Sequence, residues 1–190
     1  MRTFKLMALV GALMMAGAAG CGSPAPPPAT PPPPARPALP PRPIELRLDD
    51  VNPCSLLTND QKRQFNIASG SPVVQSSGPN QGPSCLWRAF GFHPDNGWTS
   101  GAVLNHGADQ ALGAERPRSV DGFAATTTTA PGSDPDYFCG VMVDVAPGQA
   151  LHATYSNESH DVPGMNRKMA CDNAMRLAGA MLSTLRTMKR

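Results

Sequence analysis

One stretch of the chain, YFCGVMVDVAPGQALHATYS at residues 137–156, gives the clearest indication of the fold. Its first half alternates valine with other side chains across residues 141–145, the period-two pattern of a strand with one buried face. A Pro-Gly pair at 147–148 is typical of a tight turn, and residues 151–155 return as a partner strand. The stretch therefore predicts an antiparallel hairpin.

Shorter strands are predicted before this hairpin, at residues 85–90, 101–105 and 126–129, because they contain alternating, β-branched or aromatic residues. Residues 69–83 are rich in Gly, Ser, Pro and Asn, which indicates a loop. Residues 106–115 are interpreted as a short helix.

Two helices are predicted to flank the strands. Thr58, followed three residues later by Gln61, is typical of a helix N-cap and predicts a short helix running to about Phe65. Apolar residues recur at steps of three and four across 165–188, which predicts a long C-terminal helix. The fold class is therefore α+β, with an antiparallel sheet packed against an N-terminal helix and a long C-terminal helix.

The N-terminus has the plan of an export signal. Arg2 and Lys5 precede an apolar run at residues 6–15, which is about half of the roughly 20 residues needed to span a membrane. The sequence AAGC at 18–21 resembles the lipobox of bacterial lipoproteins, with alanine where leucine is usual. The resemblance implies cleavage of signal peptide 1–20 and attachment of lipid to Cys21. An ordinary secreted protein is the alternative.

A proline-rich tether follows the lipobox at residues 21–43. Twelve of the 20 residues from Pro24 to Pro43 are proline, which favours an extended polyproline II spacer of about 60 Å. Residues 44–190 then form a single extracytoplasmic domain. Loss of Arg2 and Lys5 leaves equal numbers of basic and acidic side chains, so we expect membrane attachment through the lipid and no nucleic-acid partner.

The cysteines fit an oxidising compartment. Of five cysteines, Cys21 is assigned to lipid, which leaves Cys54, Cys85, Cys139 and Cys171 for two disulfides. Pairing Cys54 with Cys85 and Cys139 with Cys171 is favoured because it closes short loops. The pairing of Cys54 with Cys171 and of Cys85 with Cys139 stays open. No CxxC or CxH spacing is present, so a zinc site is not expected.

An ordered set of motifs is similar to a known family. The motifs are NPCSLLT at 52–58, CLW at 85–87, VDGFA at 120–124, CGVMVDVAPGQAL at 139–151 and ACDNAMRLA at 170–178. Together they resemble the actinobacterial lipoprotein family called domain of unknown function 3558 (DUF3558). The resemblance implies a secreted, lipid-anchored α+β domain, and it implies no established reaction and no catalytic residues.

The sequence contains no recognisable catalytic motif. The patterns GxSxG, GxxxxGK[ST], HExxH and SxxK are not present, and the domain cysteines are expected to lie in disulfides. We therefore expect a non-catalytic binding or accessory module on the extracytoplasmic face of the membrane, with no cofactor or metal. Its partner would be an envelope protein, glycan or lipid. A carrier of an apolar ligand and a cell-wall enzyme with an unrecognised site are the alternatives.

Trp98 and His152 have sequence surroundings that suggest where each side chain lies. Trp98 stands among Asn, Gly, Thr and Ser at residues 96–100, a composition typical of a loop, so it is predicted to contact a partner. His152 lies in the predicted hairpin and is interpreted as a surface residue rather than a ligand.

Overall fold

The computed structural model describes residues 39–73, 82–89, 96–111, 117–160 and 162–190. Within these ranges seven strands form one antiparallel sheet, and two α-helices and two 3₁₀ turns accompany it. The strands are β1 Ile67–Val73, β2 Ser84–Ala89, β3 Asn96–Val103, β4 Pro117–Val120, β5 Phe123–Thr128, β6 Phe138–Ala146 and β7 Gln149–Asn157. The helices are α1 Asn59–Gln64 and α2 Arg167–Met188, and the 3₁₀ turns are Pro53–Ser55 and Ala108–Gln110.

The sheet consists of two consecutive meanders joined side by side. Its strand order is β1-β2-β3-β7-β6-β5-β4, so the last strand of the second meander pairs with the last strand of the first. The predicted hairpin is present as β6 and β7, and it lies in the middle of the sheet. Gly148 in its turn has a positive φ of 66°. The predicted α+β class, with an antiparallel sheet and two helices, is confirmed.

Helix α1 begins with the predicted capping box. The backbone N–H of Gln61 donates to Thr58 Oγ1 at 3.2 Å, and Gln61 Oε1 accepts from the backbone N–H of Thr58 at 2.8 Å. Two backbone donors that the helix itself cannot pair are thereby satisfied. Phe65, which follows the helix, is buried in the core as expected.

Helix α2 covers the middle of the sheet. Its N-cap is Asn166, whose side chain accepts a hydrogen bond from the backbone N–H of Met169 at 3.1 Å. One side of the helix packs on β6 and β7, and its buried residues are Ala170, Cys171, Ala174, Leu177, Ala178, Met181, Leu182 and Leu185. Each buried Leu or Met contributes about 1.5–3 kcal/mol to stability. No helix within the described ranges is both long and apolar enough to cross a membrane.

The sheet has two unlike faces. The helix face, which packs against α2, carries the odd-numbered valines of β6 and forms the main core. The far face is the opposite side of the sheet. At one end it carries a smaller apolar group, the far cluster, which consists of Val103, Ala108, Ala111, Met142 and Ala150. The 3₁₀ turn at Ala108–Gln110 contributes to this cluster, and Leu39 packs against it.

Residues 39–49, the entry segment, pass from the far face to the helix face. Leu39 contacts the far cluster, whereas Leu46 and Leu48 are buried in the main core. The backbone N–H of Leu46 donates to the carbonyl of Val145 at 2.8 Å. The segment therefore crosses the sheet beside the β6–β7 turn, and the last residues assigned to the tether already contact the domain.

Three sequence-based boundaries differ from the structure. The interval 69–83 is not all loop, because β1 extends to Val73 as an edge strand; residues 74–81 lie outside the described ranges. The helix expected at 106–115 is a single 3₁₀ turn in its described part, and residues 112–116 lie outside it. Strand β3 begins at Asn96, five residues before the predicted start at 101. In β1 and β3, pairing with neighbouring strands overrides a loop-like composition.

Candidate functional site

Both disulfides attach a helical segment to the sheet. Cys54 in the first 3₁₀ turn is bonded to Cys85 in β2, and Cys139 in β6 is bonded to Cys171 in α2. The favoured pairing is therefore the one observed. Each bridge of this loop length stabilises the fold by roughly 2–4 kcal/mol. The bridges make the sheet a rigid base for the side chains that project from it.

Trp98 lies in a strand of the sheet and not in a loop. It lies in β3 on the helix face with 5% of its surface exposed. Its ring centroid is 5.0 Å from that of Phe65 and 4.8 Å from that of Tyr155. The prediction of a partner contact at Trp98 is therefore wrong. Some of its polar and glycine neighbours face the other side of the strand, and others form hydrogen bonds within the core. Ser100 Oγ, for example, accepts a hydrogen bond from Trp87 Nε1 at 3.0 Å.

The strongest concentration of polar side chains at the centre of the sheet lies on the far face. The Thr-His row consists of Thr128 on β5 together with His152 and Thr154 on β7. His152 Nε2 lies 3.2 Å from Thr154 Oγ1, and which atom donates depends on the imidazole tautomer. The register places Gly101 of β3 directly beside His152 and Gly140 of β6 directly beside Thr154.

These two glycines make room for the row. A Cβ atom added to Gly140 would collide with the hydroxyl of Thr128 and would lie 3.2 Å from His152 Nε2. A Cβ atom on Gly101 would lie 3.4 Å from the Cβ of His152. The imidazole and the hydroxyl thus approach the backbone of Gly140 closely, and any larger residue there would displace them. Glycine within a strand often marks such a close approach.

His152 is uncharged at neutral pH. Burial, and to a smaller extent the nearby His106, lowers the pKa of its imidazole from 6.5 to about 4. The residue keeps some exposure, in contrast to the fully buried Leu151 and Ala153 on either side. Thr128 and Thr154 are buried, at 3% and 7% exposure, so the partly exposed imidazole of His152 is the part of the row that can meet an external group. A neutral imidazole can both donate and accept a hydrogen bond.

A charged pair lies beside the far cluster, at the end of the far face next to the β6–β7 turn. Asp144 of β6 is buried and forms a short ion pair with Arg42 of the entry segment. Burial raises the pKa of the Asp144 carboxyl; Arg42 opposes this effect, and the nearby carboxylate of Asp109 adds to it. A buried carboxylate without a partner would destabilise the fold, so the stability of the domain depends on the ion pair that Arg42 forms with Asp144.

The chemistry available at this face is that of neutral hydrogen-bonding groups. In the part of the chain that the structure describes, no carboxylate hydrogen-bonds to the His152 ring, so nothing orients the ring as it is oriented in a hydrolase triad. The same part holds no group of three or more His, Cys, Asp or Glu side chains that could bind a metal ion. A neutral row of this kind suits hydrogen bonds to an uncharged polar group.

The Thr-His row and the Arg42–Asp144 pair were missed by sequence reasoning. Thr128, Gly140 and His152 come together only through the cross-strand register of β5, β6 and β7, which no local pattern reveals. One usable signal was Asp144, an acid in the middle of the valine-rich strand that has to be paired wherever it is buried. Arg42, one of two charged residues between Pro24 and Pro43, was its natural partner.

Comparison with known proteins gives a family but no activity. The chain matches the family described as Protein of unknown function (DUF3558) across residues 16–184. Neither a search of curated proteins nor a search of solved structures found a match. Because the matched span covers most of the chain, the protein belongs to the DUF3558 family.

Proposed function

We propose that this protein is a lipoprotein on the extracytoplasmic face of the cell membrane, anchored by lipid on Cys21, and that its domain is a non-catalytic binding module. The cysteine inventory is the observation that carries the proposal. Of five cysteines, the domain uses four in two disulfides, and the remaining one directly follows the small residues at 18–20. A lipidated Cys21 gives every cysteine a role.

The disulfides and the charge balance support the same location. Disulfides form and persist mainly in oxidising compartments outside the cytoplasm. After loss of Arg2 and Lys5 the chain carries equal numbers of basic and acidic side chains, so attraction to anionic lipids contributes little. Firm attachment then requires two or more acyl chains, which a lipidated N-terminal cysteine would carry.

The far face supports the binding role. Its Thr-His row holds the partly exposed imidazole of His152 against two buried threonine hydroxyls and over glycine, in a sheet held by two disulfides. Hydrogen-bonding groups fixed on a rigid sheet lose little conformational entropy when a ligand binds. The partner would be an envelope protein, glycan or lipid that presents uncharged polar groups to this row.

The anchor is tested by metabolic labelling with a clickable fatty acid in the native host. We expect wild-type protein to be labelled and to sediment with membranes, and Cys21→Ser to lose both properties. Ser23→Ala, two residues away, is the matched control and keeps the label. Labelling that persists in Cys21→Ser, or wild-type protein that is unlabelled and released, would contradict the anchor.

The binding role is tested by cross-linking in cells, followed by mass spectrometry of co-purified protein, glycan and lipid. We expect a reproducible partner with wild-type protein and with Ser183→Ala, which changes an exposed position on α2. His152→Gln should lose it, because the glutamine amide cannot reproduce the imidazole geometry. Equal recovery from all three proteins would exclude the Thr-His row as the binding site.

A further inference from the structure

We propose that residues 39–45 form a lid over the far cluster, which opens without unfolding of the domain. The observation behind this proposal is the uneven attachment of the entry segment. From Leu46 onward the segment is built into the main core. Residues 39–45 pass beside Gly122 at Pro43 and are otherwise held, among the described residues, at two points. The two points are the side chains of Leu39 and Arg42.

The outer part of the segment has few attachments to lose. Leu39 is partly buried against the far cluster, and Arg42 pairs with Asp144. Pro40, Pro41 and Pro43 are exposed and have no backbone N–H to donate. Along the described chain, the first backbone hydrogen bond to the sheet is donated by Leu46. Segments with few buried contacts and few backbone hydrogen bonds open at low free energy.

The inner part of the segment gives the lid a fixed end. Leu46 and Leu48 are 3% and 1% exposed. The backbone N–H of Leu48 donates to Gln149 Oε1 at 2.7 Å, and Gln149 Nε2 donates in turn to Asp49 Oδ1 at 2.8 Å. Opening would therefore stop near Leu46 and leave the main core intact.

An open lid would change the far face in a definite way. Met142, which is fully buried in the far cluster, lies directly opposite His152 in the β6–β7 register. Removal of Leu39 from the cluster would join an apolar surface around Met142 to the polar Thr-His row. The far face would then offer a larger, partly apolar surface, and the tether itself would control access to it.

Methionine oxidation by dilute peroxide, read residue by residue by peptide mass spectrometry, tests the lid on the full-length protein. Two other methionines of α2 serve as internal standards. Met181 is fully buried in the main core and marks full protection, and Met188 is 45% exposed and marks free access. We expect Leu39→Ala and Arg42→Gln each to raise the oxidation rate of Met142 several-fold while Met181 stays protected. Ile44→Ala, which changes an exposed side chain of the same segment, should match wild type.

Two results would overturn the lid. If Met142 stays as protected as Met181 in both lid variants, residues 39–45 do not cover it. If Met181 becomes oxidised in parallel with Met142, the substitutions unfold the whole domain rather than open one segment. The experiment contains no partner, so it can fail while the proposed binding function holds, and the reverse is also true.

Discussion

The two faces of the sheet bury their residues by different means. The helix face packs valine, leucine and aromatic side chains against α2 and against the residues that flank α1, and nearly all of them are completely buried. The far face carries glycine, threonine and histidine at its centre, with a small apolar cluster and an ion pair at one end. Large apolar side chains fill one face, and smaller or polar ones occupy the other. The following predictions test that division.

The largest loss of stability is expected from removal of the disulfide that joins α2 to the sheet. Replacing both Cys139 and Cys171 by alanine should lower the free energy of unfolding by about 3–4 kcal/mol, because it frees a loop of the observed separation of 32 residues. Urea unfolding, followed by circular dichroism, measures the change. A loss below about 1 kcal/mol would mean that packing alone fixes α2 on the sheet.

A cavity in the main core should cost slightly less. Leu177→Ala removes a fully buried side chain from α2 and should lower the free energy of unfolding by about 3 kcal/mol. Ser183→Ala on the exposed side of the same helix is the control and should change it by less than about 0.5 kcal/mol. Similar effects of the two substitutions would show that α2 contributes little through its buried side.

The same substitution should have opposite effects in two places. Gly140→Ala places a methyl group against the hydroxyl of Thr128 and should destabilise the protein by about 2 kcal/mol. Gly179→Ala lies within α2, and its new methyl group would meet Val120 Cγ1 at 3.9 Å, an ordinary contact. Because alanine favours helix over glycine, we expect a gain of up to about 1 kcal/mol. Thermal unfolding of the two variants measures both changes in stability. Two stability changes of the same sign would contradict the prediction.

The smallest effect concerns the charge of His152. Its pKa is about 4 in the folded protein and near 6.5 when unfolded, so the unfolded chain binds a proton first as pH falls. The contribution of His152 to the free energy of unfolding should therefore decline as the pH falls from 6.5 to 4. Below pH 4 it should stay constant. Because the ring keeps some exposure, we expect about 1–2 kcal/mol.

His152→Gln provides the control for this pH dependence, since glutamine does not titrate. Urea midpoints measured at pH 7 and at pH 4.5 should differ less in the variant than in wild type, after the common effect of the carboxylates is subtracted. An identical pH dependence in the two proteins would show that His152 is solvated and ionises normally.

Local patterns predicted the elements that local physics determines. The hairpin, the Thr58–Gln61 capping box and α2 were recognised because alternation, capping and helical periodicity are short-range signals. Loop length favoured the observed disulfide pairing but left the alternative open until the structure was known. The burial of Trp98 could not be predicted, because it depends on β3 lying between β2 and β7. The Thr-His row was also beyond reach, since its three side chains come from strands that meet only in the folded sheet.

The capping residue of α1 also has a consequence for the order of folding. Gln61 Oε1 accepts from Thr184 Oγ1 at 2.9 Å, and Gln61 Nε2 donates to the carbonyl of Ala180 at 2.9 Å. A helix of six residues is too short to persist alone in water. During synthesis its partners on α2 emerge 119 and 123 residues later. The N-terminal helix is therefore expected to become stable only once α2 is present, and a fragment ending before Ala180 should lose it.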